Sequence, residues 1–327
     1  MAMRSGNVTA PTVTVKAAAK LNLALVVLGC RPDGFHEIES LMVPVSLGDT
    51  LSVTPTAEAG IRLRVRFGGQ LATAAGGPLA RDVPADDTNL VVRAATALAR
   101  EAGIERGLEI DLVKEIPSGA GLGGGSSDAA AVLLAAARAW RLDWPTERLA
   151  AVGAAIGSDV PWFFAGGPAI ARGRGERVEP VAGIPPLSAV IACPAVGLST
   201  AAVYRQCVPG PAHRGTSERL AAALAAGRFR AAIELLHNDL EPPACALCPD
   251  VGRLLDALRT AGAIRPLLTG SGSACFALAR TAVEARGIAA RLAAMQNPDG
   301  SRAWPGVFQV RLATAMPNQP LRAAASG

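Results

Sequence analysis

The chain has 327 residues, 32 Lys and Arg against 27 Asp and Glu for a net charge of +5, and half of it is hydrophobic. That length holds one large or two medium domains with a proper core, and that composition excludes a disordered chain. Scattered basic residues and aromatics at only 4% exclude a nucleic-acid stacking surface; the mild positive balance suits an anionic small molecule or reflects simple composition bias.

No basic segment leads into an apolar one at the start and no long apolar span follows, so the expectation is a soluble, cytoplasmic chain without membrane contact. Residues 1–10 are small and polar and read as frayed. Val13–Val15 opens a strand, continued by the mostly apolar run Ala17–Leu28. Within it Lys20 and Asn22 stand two apart, so extended backbone points both to one side. An ammonium and an amide inside apolar sequence need partners if buried. A lysine at a sheet edge would not require the asparagine beside it, which favours a site. Pro32-Asp33-Gly34 is turn chemistry leading through Phe35 and His36 into a strand. There a ring could stack on a base and an imidazole could bond to it, although a lone histidine is more often structural. Ser46–Thr50 closes this strand, and another strand pair runs to Phe67. Gly68–Asp87 is a loop rich in Gly, Ala and Pro, and Asp87–Arg100 is a helix with an N-cap signal.

Leu108–Ile116 is apolar at alternate positions and reads as a strand. It runs into Pro117–Ala131, where Gly119, Gly121, Gly123, Gly124 and Gly125 are five glycines in seven positions. Ordering so many glycines is entropically costly unless the backbone must turn through positive φ or press against something. Beyond them Ala129–Trp140 reads as a buried helix opened by Ser126, Ser127 or Asp128 as N-cap. Strand, glycine loop and helix N-terminus aim backbone N–H groups and a helix dipole at an anion, most obviously a phosphate. A packing turn uses one or two glycines. Gly119–Gly124 also satisfies G-x-G-x-x-G, but Pro117 and Ser118 separate it from an alternating strand, unlike a dinucleotide fingerprint, and no G-x-x-x-x-G-K-[ST] exists. Lys16, Lys20 and Lys114 are the only lysines, compact charges that reach a phosphate or hydroxyl where a guanidinium cannot; for Lys16 an ordinary surface site suffices.

Pro145–Ile156 is a further helix, followed by Gly157–Phe164. There Asp159, between glycine and an aromatic run, is either a helix cap or a catalytic carboxylate. Gly166–Glu176 is a hairpin, with Arg172-Gly-Arg174-Gly the nearest thing to a basic cluster. Pro180, Pro185, Pro186 and Pro194 mark a boundary between domains 1–182 and 183–327. Ser188–Cys193 is a strand, Ala231–His237 a helix, and Thr269-Gly-Ser-Gly272 a second glycine turn between two strands, a second backbone approach to the same ligand. Residues after about 316 read as a tail. All six cysteines read as reduced thiols; Cys245 and Cys248 form a CxxC without a second pair, and no metal ligand set is convincing.

The loop Pro117–Ser127 resembles that of the GHMP kinases. So do Ala19-Lys-Leu-Asn-Leu23, Arg31-Pro-Asp-Gly-Phe-His-Glu37, Asn89–Ala95, Gly157-Ser-Asp-Val-Pro161, Asn238-Asp-Leu-Glu241 and Thr269-Gly-Ser-Gly272, in order over about residues 19 to 276. The loop marks the superfamily. The A-K-L-N-L, D-G-F-H and G-S-D-V-P blocks mark those members that act on a cytidine-diphosphate-linked polyol in isoprenoid precursor synthesis. The resemblance implies an α+β fold of two domains, ribosomal protein S5 domain 2-like and ATP-binding over 1–182, ferredoxin-like over 183–327, in a monomer or homodimer. It implies an ATP-dependent kinase acting on an alcohol, with Mg²⁺ carried by the nucleotide. Asp159 would be the general base and Lys20 would hold the acceptor hydroxyl. Pro117, Gly119, Gly121, Leu122, Gly123, Gly124, Gly125, Ser126 and Ser127 would wrap the ATP phosphates, with Asn89 and Lys114 near the adenine. Asn22, His36 and Gly272 would bind the other substrate, whose cytosine Phe35 and Tyr204 would sandwich. Phe35 departs from the tyrosine many members carry, which keeps the ring and loses one phenolic hydrogen bond. Asp128 receives no role.

Overall fold

The structure, a computed structural model, describes residues 11–73, 79–80 and 83–316; the expectations for the first ten residues and the tail lie outside them. The first half consists of β1 (Val13–Cys30), β2 (His36–Thr56), β3 (Ile61–Phe67), α1 (Gly69–Thr73), α2 (Leu90–Ala102), β4 (Gly107–Lys114), α3 (Gly124–Ala139), α4 (Thr146–Ala154), β5 (Ala169–Gly173) and β6 (Arg177–Pro180). The second half opens with β7 (Ser188–Cys193), α5 (Thr200–Gln206), α6 (Thr216–Ala225), α7 (Phe229–Glu234) and β8 (His237–Asn238). It ends with α8 (Glu241–Leu247), α9 (Pro249–Thr260), β9 (Leu267–Leu268), β10 (Cys275–Ala279), α10 (Ala282–Ala293) and β11 (Gly306–Arg311). The architecture is α+β, as expected.

One sheet runs β3-β4-β2-β1-β8, with β5 beside β2 and β6 beside β5; the other runs β11-β7-β10-β9. β2 is 21 residues long and serves two partners on one edge, β5 through Ile38–Met42 and β4 through Thr50–Thr56. It therefore passes straight through Ser46–Thr50, where the sequence suggests an end. Gly48 is not a breaker there but a point of close approach: a Cβ on it would fall 2.8 Å from the Ala17 carbonyl oxygen of the paired strand. The Gly68–Asp87 stretch contains a short helix, α1, and the helix expected over Ala231–His237 stops at Glu234 because His237 joins β1 as part of β8.

Apolar side chains form three clusters. One face of the first sheet packs on α2, α3 and α4, where the alanines of α3 let the helix lie close against β1 and β2. A second cluster joins Leu21, Leu23 and Leu41 to Ile191 and Phe276 of the other sheet and to α6 and α7. A third holds α8, α9 and α10 against the outer face of the second sheet. The proline-rich stretch separates β6 of the first sheet from β7 of the second, yet β8 and a bridge from Val45 to Leu312 bring the second half back onto the first. Among the described residues no helix is long and apolar enough to cross a membrane.

Candidate active site

The glycine loop turns through left-handed backbone at Gly119, Gly121 and Gly123. Gly123 itself is the N-cap of α3, and no side chain caps the helix. This corrects the expectation of a Ser126, Ser127 or Asp128 cap: all three lie inside the helix, whose head reaches further into the loop. With no side-chain acceptor taking them, the first N–H groups of α3 stay available to an incoming anion. Gly121 is fixed by space as well as by φ. A Cβ there would stand 2.2 Å from the Thr269 carbonyl oxygen, so the two glycine turns touch backbone to backbone. Gly121→Ala is expected to lower stability by at least about 2 kcal/mol, from overpacking and left-handed strain together. It should also raise KM for ATP, checked by urea unfolding and initial rates.

Irregularities in β1 lie on either side of Lys20 and Asn22, between Ala18 and Lys20 and between Asn22 and Ala24; such interruptions re-aim side chains and free backbone groups. The freed groups go to the two loops: Lys20 N donates to Leu122 O at 3.0 Å and Asn22 N to Thr269 Oγ1 at 3.1 Å. The expected pairing of the side chains is present. Lys20 Nζ donates to Asn22 Oδ1 at 2.6 Å and to Gly121 O at 2.9 Å. That leaves the third ammonium proton for the Asp159 carboxylate, whose Oδ2 is 4.0 Å away. Burial pushes the Lys20 ammonium below its ordinary value, and the Asp159 charge opposes this only in part. Asp159 caps no helix: it precedes a 3-10 turn, Pro161–Phe164, and its side chain is 37% exposed.

Lys114 lines the cavity, but its ammonium is donated to Asp49 Oδ2 and, at 2.7 Å, to Asp128 Oδ2. Asp49 also accepts the backbone N–H of Glu115 and, at 2.8 Å, of Ile116. Burial alone would push Lys114 down; the two carboxylates overcome it and hold the ammonium above the ordinary lysine value. The triad lies directly under the loop, since a Cβ on Gly124 would meet Lys114 Nζ at 3.3 Å. Asn89 is the N-cap of α2, its Oδ1 accepting from Val91 N at 2.9 Å and its Nδ2 donating to Pro84 O at 2.6 Å; it lines the cavity as well.

At the other end Phe35 is 48% exposed, with the Arg174 guanidinium 4.7 Å above its ring. His36 and Tyr204 lie ring to ring at 5.1 Å, tilted by 42°. Burial, with the Asp159 charge nearby, pushes the Tyr204 phenol up. Arg174 sits between left-handed Gly173 and Gly175 at the tip of the β5–β6 hairpin, its N–H donating to Glu176 at 2.6 Å.

Most of these groups, though not Asp49, Thr269 or Glu176, face one cavity of about 980 Å³, at the upper end for a ligand pocket. It takes in the whole of residues 117–126, with Lys20, Asn22, Phe35, His36, Asn89, Lys114, Asp128, Asp159 and Tyr204. Of the expected site residues, Ser127 and Gly272 do not line it. Ser127 is fully buried, and Gly272 turns toward Leu268 and Leu198 while Gly270 and Ser271 face the cavity. Arg174, Arg205 and Ser271 line it without having been singled out as site residues. The glycines around Arg174 were the available signal for it.

The GHMP kinases N terminal domain matches residues 89–167 and the GHMP kinases C terminal domain residues 220–297. The 4-diphosphocytidyl-2-C-methyl-D-erythritol kinase of Pelotomaculum thermopropionicum is 40% identical over 280 residues, 85% of this chain and 93% of that protein. The Rhizobium etli protein of the same name is 39% identical over 282 residues, 86% of this chain and 90% of its own. A crystal structure of 4-(cytidine 5'-diphospho)-2C-methyl-D-erythritol kinase is similar with a TM-score of 0.72 and 36% identity, covering 92% of this chain and 99% of that one. Homoserine kinase from Cytophaga hutchinsonii shares the fold at a TM-score of 0.70 and 20% identity, over 98% of this chain and 99% of its own.

Proposed function

Because the chain belongs to the GHMP kinases, among the 4-diphosphocytidyl-2-C-methyl-D-erythritol kinases, we propose a division of labour among its own residues for that reaction. The enzyme transfers a phosphoryl group from ATP to a hydroxyl of 4-diphosphocytidyl-2-C-methyl-D-erythritol, which we take to be the 2-hydroxyl. The observation that carries the reading is the Lys20–Asp159 pair, 4.0 Å apart on the wall of the cavity and beside the head of α3.

Phosphoryl transfer asks a protein chiefly for positioning and for neutralising charge. The N–H groups of residues 121–126 receive the triphosphate, helped by the dipole of α3. Lys20, held by Asn22 and Gly121, keeps its remaining proton on the acceptor oxygen and lowers that hydroxyl's pKa. Asp159 takes the proton as the oxygen attacks. Asn89 and Lys114 stand by the adenine, where Lys114 acts through the loop it supports. The Ser126 hydroxyl, a hard oxygen in the first turn of α3 that lines the cavity, fits a Mg²⁺ arriving on the nucleotide and would hold it. Such an ion neutralises the phosphate oxygens when bound. Ser127 Oγ, buried without a partner in the same turn, adds a further polar group there.

Phe35 and Tyr204 hold the cytosine and His36 bonds to it, with Asn22 toward the polyol. Phe35→Leu tests this end. Base stacking on an aromatic contributes about 1–3 kcal/mol, so KM for the cytidine substrate should rise roughly 5- to 150-fold. KM for ATP, and a thermal midpoint set elsewhere than at a half-exposed ring, should not move. Equal KM values for Phe35→Leu and the parent would remove Phe35 from the site. The reaction itself is tested by coupled ADP release from Mg-ATP. Release that requires 4-diphosphocytidyl-2-C-methyl-D-erythritol supports the assignment; release with homoserine or mevalonate instead would overturn it.

A further inference from the structure

The chain has three histidines, and two of them meet outside the cavity. His213 ends a 3-10 turn, Pro211–His213, after α5, and His237 belongs to β8. Their ring centroids are 3.9 Å apart with planes 33° from parallel. Asp239 completes the group, its Oδ1 lying 2.6 Å from His237 Nε2. One ligand atom from each of the three lies within 4.8 Å of the other two, and among the described residues this is the one cluster of its kind.

Two of the three are fixed before any ligand arrives. Asp239 is pinned to β1 twice: its Oδ2 accepts Val27 N at 2.7 Å and its N–H donates to Leu25 O at 3.0 Å. His237 is held by the pairing of β8 with Ala24. The segment carrying His213 is drawn to the same strand by Gly210 N, which donates to Val27 O at 3.0 Å. Asp239 Oδ1, the oxygen of this anchored carboxylate that β1 leaves over, is hydrogen-bonded to His237 Nε2 and lies close to His213 as well. The neighbouring Cys207 Sγ is directed to the Asp239 carbonyl oxygen, 3.7 Å away.

We propose that His213, His237 and Asp239 form a binding site for a borderline divalent transition-metal ion such as Zn²⁺. Two imidazoles and a carboxylate suit such an ion, whereas Mg²⁺ and Ca²⁺ take oxygen ligands. The ion would come between the two atoms that now hydrogen-bond each other, His237 Nε2 and Asp239 Oδ1, taking the neutral imidazole as ligand. The remaining position would open on the exposed His213 side, where solvent can reach it. A bound ion fastens the segment after α5, the helix that carries Tyr204, to the edge of the first sheet.

The test titrates the metal-free full chain with Co²⁺, without nucleotide, following the visible d–d absorption and its displacement by Zn²⁺. A single equivalent should bind, with no sulfur-to-metal charge-transfer band in the near ultraviolet. Affinity should fall more than about tenfold in His213→Ala and in His237→Gln, since even a group behind a ligand costs that much. Zn²⁺ should raise the thermal midpoint of the parent and leave that of His213→Ala unchanged. Equal midpoints of the two in chelator show that the exposed substitution leaves the fold intact. No stoichiometric binding, a sulfur band from the cysteines, or undiminished binding by His213→Ala would each overturn the site.

Discussion

Asp159→Asn is expected to lower kcat about 100- to 10,000-fold, the usual contribution of a positioned general base, with both KM values within a few-fold of the parent. The amide keeps the size and loses the basicity and the charge. Lys20 is held by Asn22 Oδ1 and Gly121 O, so the acceptor oxygen should still find its place. Asp159 is the charged partner that opposes the burial of Lys20, so the substitution also weakens the hold of that ammonium on its proton. The two losses act on the same transition state and should not add with those of Lys20→Met. The double variant, measured by ADP release, should be scarcely slower than the slower single one. A kcat within about threefold of the parent would remove Asp159 from the chemistry, since a general base is worth far more.

The second large effect is on stability. Lys114→Met leaves Asp49 and Asp128 buried under the glycine loop with no counter-ion. Removing one partner of a buried pair costs about 3–5 kcal/mol because the remaining charge is stranded. Asp49 retains two backbone N–H donors, so Asp128 is the more exposed to loss. Asp128→Asn placed on Lys114→Met should therefore recover part of the stability, as urea midpoints will show. A lysine serving only the nucleotide would give the opposite pattern, a raised KM for ATP at unchanged stability.

What could be read along the chain was whatever local spacing encodes. Five glycines between an alternating strand and an alanine helix announce a phosphate cradle, and Lys20 with Asn22 announces one face of a strand. The start of α3 was misplaced because a left-handed glycine cap has no side chain to advertise it, while Ser126, Ser127 and Asp128 have the usual capping groups. Asp49 was missed for a different reason. Beside Gly48 it reads as the end of a strand, and its partner Lys114 lies 65 residues away, beyond any local pattern. Gly272 was placed on the ligand with its turn, whereas the register of that turn gives the cavity to Gly270 and Ser271. The pairing of β8 with β1 is equally non-local: two residues carry no strand signature of their own.

That pairing governs how the molecule can be made. β1 leaves the ribosome well before its partner on one side, which begins at His237 some two hundred residues later. The hydroxyl that receives Asn22 N, on Thr269, comes later still. At about 5–20 residues per second, the nascent chain carries an open edge on its longest hairpin for roughly 10–40 s. An unpaired strand edge is a template for other chains. The strand that bears Lys20 is thus made long before it is completed, and through that interval its edge stays open to other chains.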